Sequence, residues 1–267
     1  MYLSAQWRIL TVGDGDLTFT RALKRRFADA HIVGSVYDSE AVLREKYSSH
    51  GIDELRQAQV PLYFSFDVTN QACWQRLSTG FDVIIFQFPL LSQLGSKSAF
   101  AAAQQQGGLN TLNRALLHQF LRYGSAYGLA KHGAGLCYIT SKDVKPYSHW
   151  GLDHALCTGL DIQYVGEQPF NIDDFPGYRI RNVDRNKHVK NTKGVTYSYA
   201  LNPKNVDFPY HRPRYLDDTN YCPLCHAGPL CSEKDQAQHF ESRQHQLMLG
   251  YQQHWQNWLA HAYKDYS

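Results

Sequence analysis

The chain has 267 residues, enough for one large α/β domain with a small appendage or for two modest domains. Its 27 lysines and arginines against 24 acidic residues give a formal charge of +3, so only a local cluster of charge can indicate nucleic-acid binding. The sequence has no apolar run of 18 residues and no secretory-signal pattern, which predicts a soluble intracellular protein without membrane contact.

Short apolar runs alternate with amphipathic segments up to about residue 201. The predicted strands are 8–12, 31–37, 62–66, 81–88, 135–140, 161–166 and 195–201, and helical patterns lie near 17–28, 40–48, 70–78 and 109–131. Near-continuous apolar strands separated by helices are typical of a parallel sheet covered on both faces. A polar stretch without a helical period joins the last two strands, which favours an antiparallel final strand. We therefore expect a Rossmann-like, doubly wound α/β domain over residues 1–201, with a mostly parallel seven-stranded sheet.

The composition changes at residue 202. Residues 202–220 contain three prolines and no clear period, which predicts a linker laid along a surface. Residues 221–267 then contain a compact Cys/His element and a helix. One face of this helix carries residues at a spacing of three to four: Tyr251, Trp255, Trp258, Ala262 and Tyr263. We expect this stripe to dock onto the main domain; a face for stacking RNA bases is the alternative.

The stretch "ILTVGDGDLTF", residues 9–19, marks a candidate ligand site. Gly13 and Gly15 follow the first strand, where a parallel sheet binds its ligand and where glycine lets the backbone approach closely. Asp38 follows the second strand, 25 residues after Gly13, near the offset at which a carboxylate accepts hydrogen bonds from ribose hydroxyls. Asp67 follows the third strand and can address an adenine edge. These strand ends predict a site for an adenosine-containing ligand.

The charges in this turn discriminate between cofactor classes. A dinucleotide fold ordinarily has a third glycine where this chain has Thr18, and Asp14 and Asp16 would repel a pyrophosphate. The same carboxylates suit the amino group and sulfonium of S-adenosylmethionine. A nicotinamide-dependent oxidoreductase is therefore disfavoured, although Asp16 can also act simply as the cap of the following helix.

Several stretches of the chain resemble one enzyme family in order and approximate spacing. They are "ILTVGDGDLTFTRAL", "VYDSEAVLREKY", "FDVIIFQFP", "LNRALLHQFL", "KPYSHW" and "FPGYRIR". The family is that of class I methyltransferases that methylate ring nitrogen 3 of a uridine in large-subunit ribosomal RNA. The resemblance covers roughly residues 8–201 and implies S-adenosylmethionine as cofactor. The positions that it assigns to the cofactor are Gly13, Asp14, Gly15, Asp16, Tyr37, Asp38, Ser39, Asp67, Val68 and Thr69.

The end of the fourth strand departs from the family pattern F-N-F-P-H. The chain has Phe86, Gln87, Phe88, Pro89 and Leu90 there. The resemblance places this motif beside the methyl group and the target base, so the amide of Gln87 can bond a base edge while Phe88 and Pro89 offer a stacking wall. The implied reaction is in-line displacement by a base nitrogen. Tyr147 and Asp16 are the candidate general bases.

Two function hypotheses follow from the resemblance. The first is an S-adenosylmethionine-dependent RNA methyltransferase that modifies uridine N3 of ribosomal RNA, located in the cytoplasm or, in a eukaryote, in the nucleolus. The altered fourth-strand motif motivates the second, a non-catalytic RNA-binding protein that retains the fold. The RNA, the modified position and the oligomeric state are left open by the sequence.

Residues 179–193 form a basic segment with a local net charge of +5. Its cationic residues are Arg179, Arg181, Arg185, Lys187, Lys190 and Lys193. A solvated loop is the simplest interpretation, but the segment joins the last two strands beside the expected ligand face, where cations can hold RNA phosphates. We expect charge reversal at Arg179, Arg181 and Lys187 to weaken RNA binding and to leave cofactor binding intact.

The C-terminal element has the ligand spacing of a two-Cys, two-His zinc finger. Cys222 and Cys225 form a C-x2-C pair, His239 follows after 13 residues, and His245 follows after five more. The five-residue gap between the histidines resembles matrin-type fingers. Cys231 and His226 are spare candidates for ligands. We predict a bound Zn²⁺, and both a structural staple and an RNA-reading module are consistent with the spacing.

Overall fold

The fold is known from a computed structural model, which describes residues 1–78, 80–91, 96–105, 107–182, 185–188 and 193–263. The strands are β1 (Arg8–Val12), β2 (His31–Ser35), β3 (Leu62–Tyr63), β4 (Val83–Gln87), β5 (Leu136–Ser141), β6 (Gln163–Phe170), β7 (Arg181–Asn182), β8 (Arg185–His188) and β9 (Gly194–Ala200). The helices are α1 (Thr18–Arg26), α2 (Glu40–Lys46), α3 (Ile52–Gln57), α4 (Gln71–Trp74), α5 (Lys97–Gln105), α6 (Gly108–Tyr123), α7 (Glu233–Phe240) and α8 (Arg243–Ala262).

Seven of these strands form one sheet in the order β3-β2-β1-β4-β5-β9-β6. The strands from β3 to β5 pair in parallel, whereas β9 runs antiparallel to both β5 and β6. The prediction of a doubly wound, mostly parallel seven-stranded sheet with an antiparallel last strand is confirmed. The order reverses between β1 and β4, and such a reversal opens a crevice at the carboxyl ends of the strands.

The sheet is covered on both faces because successive side chains of a strand point to opposite sides. In β4, Ile84 and Phe86 belong to one core cluster together with Leu117 of α6, whereas Val83 and Ile85 belong to the other. All five residues of β4 are buried. This burial explains why the strand reads as a continuous apolar run in the sequence.

Several elements differ from their predicted bounds. The third strand has two residues instead of five, and β6 extends to Phe170. The predicted helix 109–131 ends at Tyr123 and continues as a π-helical turn over Gly124–Gly128. A Cβ atom at Gly128 would lie 2.6 Å from Ile84 Cδ1, so the backbone of this turn approaches the sheet more closely than a continued α-helix with side chains would allow.

The C-terminal helix docks onto the main domain, as its apolar stripe predicts. Trp255 is buried in a cluster with Ala115 of α6, Ala155 and Leu259. The Trp255 indole N–H also donates to the carbonyl oxygen of Ala155 at 3.0 Å. No helix in the described part of the chain combines the length and the apolar character that a bilayer crossing requires.

The proline-containing segment 202–220 lies against the outermost strand, β6. Glu167 and His211 exchange two backbone hydrogen bonds, of 2.7 and 2.8 Å. The ring of Tyr210 covers Gly166 so closely that a Cβ atom there would lie 2.3 Å from the ring. The segment therefore adds a short antiparallel bridge to the edge of the sheet.

Candidate functional site

A cavity of about 420 Å³ lies at the carboxyl ends of β1, β2 and β4, beside the reversal of strand order. It is lined by the segments Gly13–Asp16, Asp67–Thr69 and Gln87–Pro89 and by the side chains of Tyr37 and Asp38. The structure thus brings together residues that are predicted from three strand ends and from the fourth-strand motif. Ser39 is the exception among the predicted cofactor residues, because its hydroxyl caps α2 by accepting from the Val42 N–H at 3.3 Å.

The bend after β1 requires glycine at one of its two glycine positions. Gly13 has a φ of +61°, and a Cβ atom there would lie 2.4 Å from the Phe86 ring. At Gly15 the nearest atom to such a Cβ would be the Tyr47 hydroxyl at 3.4 Å, which is an ordinary contact. The packing of the protein therefore requires Gly13, whereas Gly15 keeps the cavity wall free of a side chain.

Asp14 caps helix α1. Its carboxylate accepts from the Thr20 N–H at 2.7 Å, from the Thr20 hydroxyl at 2.6 Å and from the Phe19 N–H at 3.3 Å. Leu17, the residue at the N-cap position, has no side-chain acceptor, so Asp14 supplies it. Burial raises the pKa of Asp14 to about 7, with a further contribution from the charge of Asp16 and opposition from the Thr20 bonds. Asp14 also lines the cavity, so its contact with a sulfonium stays a prediction, beside the role in the helix that the structure shows.

Asp16 is also engaged by the protein itself. One carboxylate oxygen accepts from the Thr18 N–H at 3.0 Å and the Thr18 hydroxyl at 2.6 Å, and the other lies 2.6 Å from Arg181 Nε. The side chains of Asp16 and Arg181 are 1% and 11% exposed. These contacts agree with the helix-capping alternative for Asp16. Asp16 also lines the cavity, and its roles as sulfonium partner and as general base stay predictions.

Arg181 belongs to the cavity wall. Its guanidinium lies 5.3 Å from the centre of the Tyr47 ring, and its Nη2 donates to the Ser49 carbonyl oxygen at 3.3 Å. The residue lines the cavity. Because Arg179 lines the cavity too, we now expect charge reversal at either arginine to affect cofactor binding as well as RNA binding. The ion pair joins positions 165 residues apart, so no local pattern announces it.

The ends of β2 and β3 have the polar groups that a ribose and a base would contact. Tyr37 is 69% exposed, and Asp38 pairs with Lys46 of α2 at 3.2 Å. Asp67 accepts from the Thr69 N–H at 2.8 Å and the Thr69 hydroxyl at 2.7 Å, which fixes the turn. Lys46 was missed from the sequence; its signal was the position of a cation eight residues after Asp38, on the helix that follows.

Gln87 ends β4 with its side chain turned into the cavity wall and is 7% exposed. Both polar atoms of its amide are buried without a hydrogen-bond partner in the described part of the chain. A buried polar group without a partner costs about 1–3 kcal/mol, so such a group at a cavity is typical of a site that a ligand completes. Phe88 follows with a φ of +46° and packs edge-on against Phe170. Pro89 is buried beside it.

Tyr147 lies apart from the cavity. Its ring packs against Trp150 at a centroid distance of 5.0 Å, and the Lys142 ammonium lies 5.6 Å from its centre. It is absent from the described residues that line the cavity. The role of Tyr147 as general base is therefore corrected.

The predicted RNA-binding segment is described in part. Arg179 is exposed, and its backbone N–H donates to the Thr18 hydroxyl at 3.1 Å. Lys193 is exposed as well. Arg185 and Lys187 lie on β8, but their side chains, like all of Lys190, lie outside the described residues.

The four predicted metal ligands converge. The ligand atoms of Cys222, Cys225, His239 and His245 all lie within 4.8 Å of one another. His245 Nδ1 is 3.6 Å from Cys222 Sγ and 3.5 Å from Cys225 Sγ. In the described part of the chain, His239 Nε2 is buried without a hydrogen-bond partner, as fits a nitrogen placed for a metal ion. Two thiolates and two imidazoles form a donor set that Zn²⁺ prefers, and neither Cys231 nor His226 belongs to this group.

Two curated proteins resemble part of the chain. Heavy metal-associated isoprenylated plant protein 41 of Arabidopsis thaliana is 27% identical over 189 residues, which are 68% of this chain and 34% of that protein. An uncharacterized Arabidopsis thaliana protein is 27% identical over 181 residues, 66% of this chain and 82% of that protein. The chain thus spans about a third of the first relative's length.

The solved structure of TrmN from Thermus thermophilus matches 73% of this chain and 43% of its own, with a TM-score of 0.42 and 12% identity. A family model matches residues 10–182, more than half of the chain, and its description is "rRNA (uridine-N3-)-methyltransferase BTM5-like". The chain therefore belongs to the BMT5-like family.

Proposed function

We propose that the protein is an S-adenosylmethionine-dependent methyltransferase that modifies ring nitrogen 3 of a uridine in ribosomal RNA. The observation that carries the proposal is the meeting of the Gly13 bend, Asp38 and the unpartnered amide of Gln87 around one cavity. The family assignment supports the reaction class and the type of target.

The strand ends supply the contacts that the cofactor needs. We assign Asp38 to the ribose hydroxyls of the cofactor, from which its carboxylate can accept hydrogen bonds. We assign Asp67 and the neighbouring Val68 and Thr69 to the adenine of the cofactor. Gly13 and Gly15 let the backbone approach the methionine part. S-adenosylmethionine supplies an electrophilic methyl group when it is bound. Tyr37 and Lys46 complete the ribose side of the cavity.

The fourth-strand motif is the part of the site that we assign to the base. The Gln87 amide N–H can donate to a uracil carbonyl oxygen beside N3, which leaves the nitrogen itself free to attack the methyl group. Phe88 and Pro89 offer an apolar wall against which a base can stack. A paired base hides this edge inside a helix, so the target is single-stranded or flipped out. The N3 proton of uridine has to pass to solvent before the transfer. These residues then orient the base and exclude water, so that the N3–carbon bond can form in line as the carbon–sulfur bond breaks.

The decisive experiment is tritiated methyl transfer to total RNA, followed by mass spectrometry of the nucleosides. We expect 3-methyluridine to form with wild-type protein. Calorimetry with S-adenosylmethionine and NAD separates the two cofactor classes. A protein that binds S-adenosylmethionine and RNA but transfers no methyl group would favour the non-catalytic alternative. That alternative was raised because Gln87 and Leu90 depart from the family pattern in the fourth-strand motif.

We propose that Cys222, Cys225, His239 and His245 hold one Zn²⁺. The convergence of the four ligand atoms and the unpartnered His239 Nε2 support this assignment. Metal analysis of Cys222→Ser protein tests it, with Cys231→Ser as the control because Cys231 is exposed and outside the group. Zinc that is undiminished in Cys222→Ser would refute the ligand set.

A further inference from the structure

A second cluster of polar side chains lies between the main domain and the C-terminal element. At its centre is Asp153, whose carboxylate is 1% exposed. His154 Nδ1 lies 2.7 Å from one oxygen of Asp153, and His226 Nε2 lies 3.0 Å from the other. The ring of Tyr215 stacks on His226 at a centroid distance of 4.0 Å and an angle of 8°. We refer to Asp153, Tyr215 and His226 as the carboxylate latch.

The latch is built into the turn that carries the first two metal ligands. His226 directly follows Cys225 and has a φ of +56°. The backbone N–H of Cys222 donates to the Ala227 carbonyl oxygen at 2.7 Å, which closes the turn around His226. A metal ion that fixes Cys222 and Cys225 would therefore also fix the direction in which His226 leaves the turn.

On the other side, Asp153 belongs to residues 147–157, the segment that follows β5. This segment is also held by α6 and α8. Arg114 Nη2 and Asn110 Nδ2 each donate to the His149 carbonyl oxygen at 2.9 Å, and Trp255 donates to Ala155 at 3.0 Å. The segment thus has fixed contacts with two helices as well as with the latch.

The same segment supports the wall of the cavity. Trp150 and Leu152 lie in one buried cluster with Phe86, and Leu116 packs against that cluster. Phe86 and Leu116 both line the cavity, and Gln87 pairs with Thr140 of β5, the strand that precedes the segment in the chain. A displacement of residues 147–157 would therefore shift the cavity wall on the side that we assign to the target base.

We propose that the C-terminal finger is a positioning device whose metal ion seats His226 on Asp153 and thereby holds residues 147–157 behind the base-facing wall. This inference rests on the proposed zinc site and methyl transfer, and it places the finger among structural staples. His154 Nδ1 contacts one oxygen of Asp153, and His226 Nε2 lies at ion-pair distance from the other, which has no hydrogen-bond partner within the described residues. The ligand atoms of Asp153, His154 and His226 lie within 4.8 Å of one another, so the zinc count of the test below separates a direct His226–Asp153 contact from a second metal site. Asp153 and His226 are positioning residues in this assignment, since neither lines the cavity.

Hydrogen exchange of the full-length, zinc-loaded protein tests the latch without reference to activity. We expect His226→Ala and Asp153→Asn to exchange at least about tenfold faster than wild-type in peptides that cover residues 147–157. Both variants should keep one zinc per chain and the wild-type affinity for S-adenosylmethionine, because the cofactor side of the cavity lies on other strands. Removal of zinc from wild-type protein by a chelator should accelerate exchange in the same peptides. Cys231→Ser is the control and should match wild-type.

His226→Gln keeps a hydrogen-bond donor and should restore part of the protection; it also replaces His226→Ala if that variant fails to fold. In methyl-transfer assays we expect His226→Ala to lower kcat while the KM for S-adenosylmethionine stays within about twofold of wild-type. Unchanged exchange over residues 147–157 in both latch variants would overturn the proposal. Two zinc ions per wild-type chain, falling to one in His226→Ala, would overturn it in favour of a second metal site. Since exchange is measured without substrate, an inactive wild-type protein would contradict the proposed function alone.

Discussion

At the scale of single residues, Gln87 is a side chain whose amide lowers the stability of the free protein and serves the binding of a base. Its amide is buried at the cavity wall without a partner in the described residues. The free protein thus carries a desolvation cost that a carbonyl oxygen of the base can relieve in part by accepting from the amide N–H. An apolar side chain of similar size avoids that cost, but it cannot orient a base.

We therefore predict that Gln87→Leu leaves the free energy of unfolding unchanged or raises it by about 1 kcal/mol, because no hydrogen bond within the protein is lost. Methyl transfer should fall by about 100-fold, which corresponds to the loss of about 2.7 kcal/mol of transition-state stabilisation. Urea unfolding and initial rates measure the two effects. Gln87→Asn keeps the amide and should lose less activity. A clear loss of stability in Gln87→Leu would show that the amide is already satisfied in the free protein.

Arg181 and Arg179 form a matched pair on one short stretch. Arg181 is buried against Asp16, whereas Arg179 is exposed. Removal of one partner of a buried ion pair leaves the other charge unpaired, so we predict that Arg181→Ala costs about 3 kcal/mol of stability and weakens S-adenosylmethionine binding. Arg179 lines the cavity as well but is exposed, so Arg179→Ala should leave stability unchanged and should weaken S-adenosylmethionine binding less than Arg181→Ala does. Calorimetry and urea unfolding check both variants, and equal behaviour of the two would contradict the assignment.

Asp14 gives stability a specific pH dependence. Its pKa in the folded protein is about 7, above the value of 3.8 that an unperturbed aspartate has. The folded protein therefore binds the proton more tightly than the unfolded chain, so the contribution of this group to stability falls as pH rises towards and through 7. We predict that the stability of wild-type relative to Asp14→Asn falls by about 1 kcal/mol between pH 6 and pH 8. Urea unfolding at both values tests this; a difference that grows with pH would contradict the sign.

At the scale of secondary-structure elements, the sequence identified the strands of the sheet more reliably than the lengths of the helices. Central strands such as β4 are buried on both faces, and their apolar runs are visible without knowledge of the fold. The end of α6 was wrong by eight residues because it depends on how closely Gly124 and Gly128 approach Trp74. Distances between elements are not encoded in the period of one segment. The short helices α3 and α5 were not predicted from the sequence.

A glycine-to-alanine substitution should have opposite effects on stability in the π-helical turn and in α8. A methyl group at Gly128 would lie 2.6 Å from Ile84 Cδ1 and 3.0 Å from the Trp74 ring, so we predict that Gly128→Ala costs about 1–3 kcal/mol through overpacking. Gly250 lies within α8, and nothing lies within 4 Å of a Cβ atom there. Gly250→Ala should therefore stabilise the protein by about 0.5–1 kcal/mol, since alanine is the better helix former. Denaturant unfolding measures the free energy of unfolding of both variants. A Gly128→Ala protein that is more stable than wild-type would refute the close contact.

At the scale of the whole molecule, the strand order explains which parts of the site were predictable. Residues at strand ends, such as Gly13, Asp38 and Asp67, meet because parallel strands finish at one edge of the sheet. The roles of their side chains were less predictable. Asp14 and Asp16 face helix α1 and Arg181, and the latter partner comes from the far end of the chain. Long-range pairing of this kind depends on the assembled fold.

Cofactor binding should stabilise the whole domain, because the cavity joins residues from β1, β2, β4 and the segment before β7. A ligand at 100 times its Kd adds about 2.7 kcal/mol to the folded state. For a chain of this size we predict that S-adenosylmethionine raises Tm by about 5 °C, whereas NAD has no effect. Thermal unfolding by circular dichroism measures both. A shift with NAD alone would reverse the cofactor assignment.

The bridge between Glu167 and His211 has a consequence for how separate molecules meet. An open sheet has two edge strands, and the unpaired backbone groups of an edge strand can pair with a strand from a neighbouring molecule. One edge strand here is β3, which offers two residues, and the other is β6, whose backbone is already bonded at Glu167 and covered by the Tyr210 ring over Gly166. We therefore expect the proline-containing segment to hinder edge-to-edge aggregation. This role is separate from its role as the connection between the α/β part and the C-terminal element.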